Sequence, residues 1–277
     1  MQLILPRTLD EALSRLADCP EARPVAGGTD LIVRWPERCM EFANPLLDLS
    51  GIAELHTQTL ADGVLLLGAT ATYWDLLADA GLCSAFPLLA RSAAQIGAIQ
   101  VQSRGTWAGN VVNASPAADG VLALLACDAT VEVRSASDRR EYPIADFYTG
   151  YRQTRLQPGE LVTALRVPLK SYGVCLFEKV GGRHAQTVSK VGLAICQSEG
   201  TWRVAVNGMA PTVQRCPGIE AAVASHQRPR RLVDWLDLVR GDLDAIDDHR
   251  STRTYREQVL ARMLLAWTEK LPVAALN

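Results

Sequence analysis

Two glycine-bearing segments constrain this chain more than any other feature: Val25-Ala26-Gly27-Gly28-Thr29-Asp30, and Gly105-Thr106-Trp107-Ala108-Gly109-Asn110-Val111-Val112-Asn113. Glycine lets a backbone approach a ligand closely and adopt positive φ, so that successive amide N–H groups form a concave anion site, for which a diphosphate is the usual occupant. Each segment alone also reads as a tight turn. No GxGxxG opens a helix anywhere in the chain and there is no GxxxxGK[ST], so the ordinary dinucleotide domain and the P-loop have no fingerprint. A dinucleotide, if bound, requires a different fold.

Composition narrows the partners. The chain has 277 residues, 48% hydrophobic and 21% charged, enough to bury one large core or two modest ones. Its net charge of -2 offers no broad attraction to phosphate backbones or anionic membranes, which argues against nucleic acid and lipid as partners and leaves small molecules and proteins. The amino terminus has no basic stretch leading into a long apolar run, and no apolar run reaches the length of a membrane span; a cytoplasmic protein is expected. Seven cysteines, Cys19, Cys39, Cys83, Cys127, Cys175, Cys196 and Cys216, form no CxxC pair. Scattered free thiols suit a reducing compartment and argue against an iron-sulfur cluster or zinc held by this chain alone. His56, His184, His226 and His249 stand isolated and read as structural or surface residues, so no metal site is expected.

Along the chain, Thr8 and Glu11 have the spacing of a capping box ahead of a helical pattern in Leu9, Ala12, Leu13, Leu16 and Ala17. Arg23 to Ala26 reads as a short strand entering the diglycine. Pro45 to Leu49 and Val64 to Gly68 read as strands, and Thr72 with Asp75 as a helix start. Residues 105–119 are too poor in periodic apolar residues for a core helix and are read as a long functional loop. An apolar helix near Val121 to Cys127 follows, with strands at Thr130 to Arg134 and Leu161 to Val167. Asp119 is placed either as the N-cap of that helix or as a ligand contact, and Lys179 either as a solvent-facing strand residue or as a charge aimed at a cofactor. From about residue 170 the texture becomes a meander of strands, Val174 to Val180, Val188 to Gln197 and Trp202 to Val206. The end is helical, with Leu260, Met263, Leu264, Trp267 and Leu271 on one face behind a second capping box, Thr254 to Glu257.

Several stretches, taken in order, resemble a known family. Ala-Gly-Gly-Thr-Asp-Leu at 26–31, Thr-Trp-Ala-Gly-Asn at 106–110 running into Asn-Ala-Ser-Pro-Ala-Ala-Asp at 113–119, Pro-Gly-Glu-Leu-Val at 158–162, Phe-Glu-Lys-Val-Gly-Gly-Arg at 177–183 and Tyr-Arg at 255–256 are similar to the medium, FAD-binding subunits of the molybdenum hydroxylases, the xanthine dehydrogenase and carbon monoxide dehydrogenase flavoproteins. The resemblance implies an α+β chain with a PCMH/VAO-type FAD-binding domain over residues 1–172, in lobes of about 1–55 and 56–172. Residues 173–277 would form a C-terminal α+β domain of antiparallel sheet and helices. FAD would lie between the lobes, with Ala26, Gly27, Gly28, Thr29, Asp30 and Leu31 around its diphosphate and Thr106, Trp107, Ala108, Gly109 and Asn110 near the flavin ring. Asn113 and Asp119 would support that second segment, Leu161 and Val162 would pack near the adenine, and Lys179 would reach in from the C-terminal domain. Asp30 is assigned to capping or ribose hydrogen bonding, because a carboxylate beside a diphosphate repels it. Where relatives carry Ile-Gly, this chain has Trp107-Ala108, and an indole beside the ring could stack on it or shield it.

The function implied is an electron relay. A large molybdopterin subunit would hydroxylate a substrate, a small subunit with [2Fe-2S] clusters would conduct electrons, and the FAD of this chain would pass them to an external acceptor such as NAD, oxygen or a quinone, in a dimer of heterotrimers. No catalytic acid or nucleophile is expected of the polypeptide, because the isoalloxazine carries the chemistry. The competing readings are a stand-alone flavin oxidoreductase of the same fold and a non-enzymatic assembly subunit without FAD.

Overall fold

The amino-terminal residues form a small parallel sheet in the order Leu3–Ile4, Leu46–Asp48, Arg23–Val25. The computed structural model describes residues 2–33, 44–225 and 228–269. Helix Leu9–Asp18 starts where its sequence signal places it: the Thr8 hydroxyl accepts from the Glu11 amide at 3.2 Å, and the Glu11 carboxylate accepts from the Arg7 amide at 2.8 Å. Its Leu9, Ala12, Leu13 and Leu16 are buried.

A five-stranded antiparallel sheet follows, in the order Gln58–Ala61, Val64–Gly68, Leu161–Pro168, Thr130–Arg134, Arg139–Pro143. Its central strand, Leu161–Pro168, comes from far along the chain and is bulged between Val162 and Ala164. Helices Tyr73–Leu77, Ala80–Ala85, Pro87–Gln95 and Asp119–Ala126 belong to the same core. Every residue of Asp119–Ala126 is buried, because one side meets Pro87–Gln95 and the other meets the next sheet.

That next sheet has four antiparallel strands in the order Val174–Val180, Val191–Ser198, Thr201–Asn207, Gln214–Arg215. Ala194, Cys196 and Ala205 join the core built around the Asp119–Ala126 helix, whereas Leu193, Ile195, Val204 and Val206 join a second core. Helices Pro217–Ala224, Leu232–Asp242 and Arg253–Thr268 close that second core around Trp235. Burial on both faces explains why Val191–Ser198 reads as a continuous apolar run rather than an alternating one. Each Leu, Ile or Val so buried contributes about 1.5–3 kcal/mol relative to exposure. Arg256, from the Tyr-Arg pair, is itself buried and donates to the Lys190 and Gly208 carbonyls and to Asp248, which ties the last helix to the strand ends.

Three expectations are corrected. The 105–119 stretch is not one loop: Trp107–Asn113 is helical, with the Thr106 hydroxyl accepting from the Gly109 amide at 2.9 Å. Trp107, Ala108 and Val111 are buried along it, an apolar stripe too short to stand out from the surrounding Gly, Asn and Ser. The last helix is capped by Thr252, whose hydroxyl accepts from the Tyr255 amide at 3.3 Å, while Thr254 and Glu257 both lie inside the helix. Asp119 is the first helical residue and not the cap, which is Ala118. Leu260, Met263 and Leu264 are buried as expected; Leu271, His226 and Cys39 lie outside the described residues.

Candidate functional site

The diglycine turns the chain out of strand Arg23–Val25 into the one-turn helix Thr29–Ile32. Gly28 carries the reversal, with φ of +69°, in the left-handed region that other residues enter at a cost. Gly27 has a different task. A Cβ built there would lie 1.6 Å from the Arg104 carbonyl oxygen, so the two main chains are in direct contact. The Arg104 side chain adds a donor to the Gly27 carbonyl at 3.4 Å.

The second segment is fixed from its other side. The Tyr73 amide donates to the Gly105 carbonyl and the Trp107 amide to the Ala71 carbonyl, each at 3.2 Å. Thr72 and Asp75, on the same stretch, make a reciprocal capping box. Gly109 leaves room for the capping hydroxyl, since a Cβ there would come within 2.7 Å of Thr106 Oγ1.

Between the two segments runs a cleft of about 460 Å³, within the range of small-molecule sites. Ala26 to Leu31 form one wall; Thr106, Ala108, Gly109, Asn110 and Asn113 form the other; Leu161 and Val162 close it from the central strand. Val25, Leu49, Ile96, Val101 and Leu156 add apolar surface. Among the described residues, the Gly28, Thr29 and Asp30 amides find no acceptor within the protein. They are first-turn donors of a helix, and they belong to residues that line the cleft. The donor set fits a dianionic group, and the apolar lining fits flat rings.

Residues 1–170 match the family model described as the FAD binding domain in molybdopterin dehydrogenase. The chain belongs to this family. Dehydrogenases are oxidoreductases, and the relatives of this chain include FAD-binding subunits of such enzymes, among them those of a xanthine dehydrogenase and a nicotinate dehydrogenase. The xanthine dehydrogenase FAD-binding subunit of Escherichia coli O157:H7 is 31% identical over 221 residues, covering 77% of this chain and 75% of that protein. The glyceraldehyde dehydrogenase medium chain of Sulfolobus acidocaldarius is 32% identical over 260 residues, 91% of this chain and 92% of that one. The solved carbon monoxide dehydrogenase of Hydrogenophaga pseudoflava contains a chain that superimposes with a TM-score of 0.86 at 26% identity, over 96% of this chain and 95% of that one. Every residue that lines the cleft falls within the matched residues 1–170.

Within that family frame, three residues singled out from the sequence do not line the cleft. Trp107 is fully buried and packs edge-on against Tyr73, with ring centroids 4.8 Å apart, so its indole faces the core rather than the cleft. Lys179 and Asp119 satisfy each other: Lys179 Nζ lies 2.6 Å from Asp119 Oδ2, and both side chains are more than nine-tenths buried. Ser189 Oγ and Asn207 Nδ2 donate to the other Asp119 oxygen at 2.6 and 2.9 Å, and Lys179 also donates to the Gln95 carbonyl. A buried lysine needs a carboxylate, and this one finds it behind the second segment instead of in the cleft. Asn110 has a double placement: it lines the cleft, and its Oδ1 accepts from the Val121 amide at 3.1 Å, joining the second segment to the next helix.

Two lining residues carried no sequence signal. Tyr73 borders the cleft, and burial, followed by the Asp119 and Asp30 carboxylates, pushes its phenol well above the ordinary tyrosine range, so it is present as neutral phenol. Arg152 borders the cleft from a hairpin turn and donates to Asn113 Oδ1 at 3.1 Å. Among the described residues no group of His, Cys, Asp or Glu is arranged to hold a metal ion, and no helix is long and apolar enough to cross a membrane. The described cysteines are free, and burial raises the thiol of Cys175 to about 11 and that of Cys127 to about 12.

Proposed function

We propose that the chain is the FAD-carrying electron-transfer subunit of a cytoplasmic molybdenum hydroxylase, working beside a large molybdopterin subunit and a small [2Fe-2S] subunit. The observation that carries this reading is the cleft itself: two glycine segments far apart in sequence abut at Gly27 and Arg104 and enclose first-turn amides without acceptors. Bound there, FAD would supply two-electron redox chemistry between an iron-sulfur donor and an acceptor such as NAD, oxygen or a quinone.

The polypeptide's part is to bind, orient and shield. Ala26 to Leu31 hold the diphosphate through main-chain amides, with Asp30 assigned to ribose hydrogen bonding. Thr106 to Asn110 and Asn113 form the opposite wall, and Leu161 and Val162 pack against the adenine. Tyr73, buried and held neutral, borders the cleft and brings it no charge. Trp107 stiffens the second segment from behind, Asn110 joins that segment to helix Asp119–Ala126, and the Asp119–Lys179 pair fixes the helix to the four-stranded sheet. Residues 1–172 thus form the flavin domain, in lobes divided near residue 55, and residues 173–277 form a domain that buttresses it.

The test is an absorption spectrum of the purified full chain, followed by pull-down from cells that express it at native level. Oxidised-flavin bands and co-purification with two further chains, one binding molybdopterin and one iron-sulfur clusters, are expected. A colourless, folded chain that takes up no added FAD overturns the reading. A yellow chain that turns over a small substrate without partners would make it a stand-alone oxidoreductase instead.

A further inference from the structure

The short hairpin Tyr148–Gly150 and Gln153–Thr154 places Tyr151 and Arg152 at its tip, since Gly150 pairs with Gln153. Arg152 has φ of +53°, a left-handed conformation that glycine and asparagine take readily at this position of a turn and an arginine takes only under strain. Such strain persists where the side chain has a task.

The side chain lines the cleft and donates to Asn113, its one acceptor among the described residues, and its guanidinium carbon lies 5.9 Å from the Tyr151 ring centroid. Among the described residues no carboxylate lies within ion-pair distance of it. The acidic residues that share the cleft are Asp30 and Glu160, and Glu160 is engaged by Arg140 and by the Gln157 amide. A guanidinium presents five N–H donors in a planar fork suited to phosphate oxygens, and one contact to an amide oxygen leaves most of them available.

We infer that Arg152 is a phosphate clamp at the rim of the cleft, held in position by Asn113. The inference rests on the reading of the cleft as a dinucleotide site. The phosphate belongs either to the dinucleotide held in the cleft or to a phosphorylated nucleotide approaching it as acceptor, and both present the same chemistry to the fork.

Flavin-free full chain is titrated with FAD and with riboflavin by fluorescence, and FAD-loaded chain with ADP-ribose, for wild type, Arg152→Gln and Arg152→Gly. If the clamp holds the resident dinucleotide, Arg152→Gln weakens FAD about tenfold or more and leaves riboflavin unchanged. If it holds an incoming nucleotide, FAD affinity is unchanged and ADP-ribose binding falls by a similar factor. In either case the affected affinity depends less steeply on salt in the variant, and Arg152→Gly melts higher than wild type because the strain is relieved. The clamp is overturned if neither FAD nor ADP-ribose responds, or if riboflavin weakens in step with FAD. Wild-type chain that binds no FAD at all overturns the dinucleotide reading and the clamp with it; wild type that binds while Arg152→Gln binds all three ligands equally well removes the clamp alone.

Discussion

Gly27 and Gly28 are neighbours whose side-chain hydrogens matter for different reasons. At Gly28 the constraint is torsional: a Cβ would find its nearest neighbour, Ile32 Cδ1, at an ordinary 3.6 Å, but φ of +69° costs an L-residue about 1–2 kcal/mol. At Gly27 the constraint is steric, since the Cβ would overlap the Arg104 carbonyl and the two main chains must part. Gly28→Ala should therefore lose about 1–2 kcal/mol in denaturant unfolding and keep part of its flavin. Gly27→Ala should lose about 1–3 kcal/mol or more and release flavin on gel filtration. Equal unfolding midpoints and equal flavin content in the two variants would show that the contact with Arg104 does not hold the cleft. Both glycines were legible in the sequence as a pair, but the division of labour between them was not, because Arg104 lies beyond any local pattern.

At the level of single elements, caps give the sharpest contrast. Thr252→Ala removes the acceptor for the Tyr255 amide and should cost about 1 kcal/mol, whereas Thr254→Ala, already inside the helix and exposed, should stay within about 0.5 kcal/mol of wild type. Thermal melts of the two variants decide between the caps, and a larger loss for Thr254→Ala would reverse the assignment. The same comparison shows where sequence reading works and where it fails. Helix Leu9–Asp18 and the strands Val64–Gly68, Thr130–Arg134 and Val174–Val180 were readable because their signals are local, a cap or a short apolar run. Helix Trp107–Asn113 was not, because Gly109 and Asn110 are poor helix formers and their compensation is tertiary: Asn110 serves the amide of Val121. Asp119 looked like a cap because the sequence shows the apolar run after it and not Lys179, sixty residues further on. The glycine walls of the site were visible in advance for the reason the rim was not: glycine advertises a backbone requirement, while Tyr73 and Arg152 matter only through where their elements come to rest.

Across the whole molecule, two charge clusters join the first 170 residues to the four-stranded sheet. One is Asp119 with Lys179; the other centres on Asp128, which contacts Lys170 at 2.6 Å, Arg203 at 3.0 Å and Arg215 at 3.3 Å. Burial by itself would raise the Asp128 carboxyl, but hydrogen bonds from Lys170 and Arg203 outweigh it and the net effect is a pKa below the ordinary 3.8. A depressed carboxyl stabilises the fold fully above its ordinary value and loses that contribution as pH falls through the folded value. Asp128→Asn should therefore be less stable than wild type at neutral pH, with the gap closing as the pH drops below about 4. Denaturant titrations across that range check it, and a gap constant with pH would remove Asp128 from the balance. The seam at Gly27 and Arg104 bears on a different matter, the tuning of the cleft. Side chains can swing, but a main chain pressed against a main chain cannot, so the gauge of the cleft is set by non-bonded main-chain packing and not by rotamers. Substitutions along its walls can change the upholstery of the site without changing its width, and a ligand thicker than a flat ring must prise whole segments apart or be turned away.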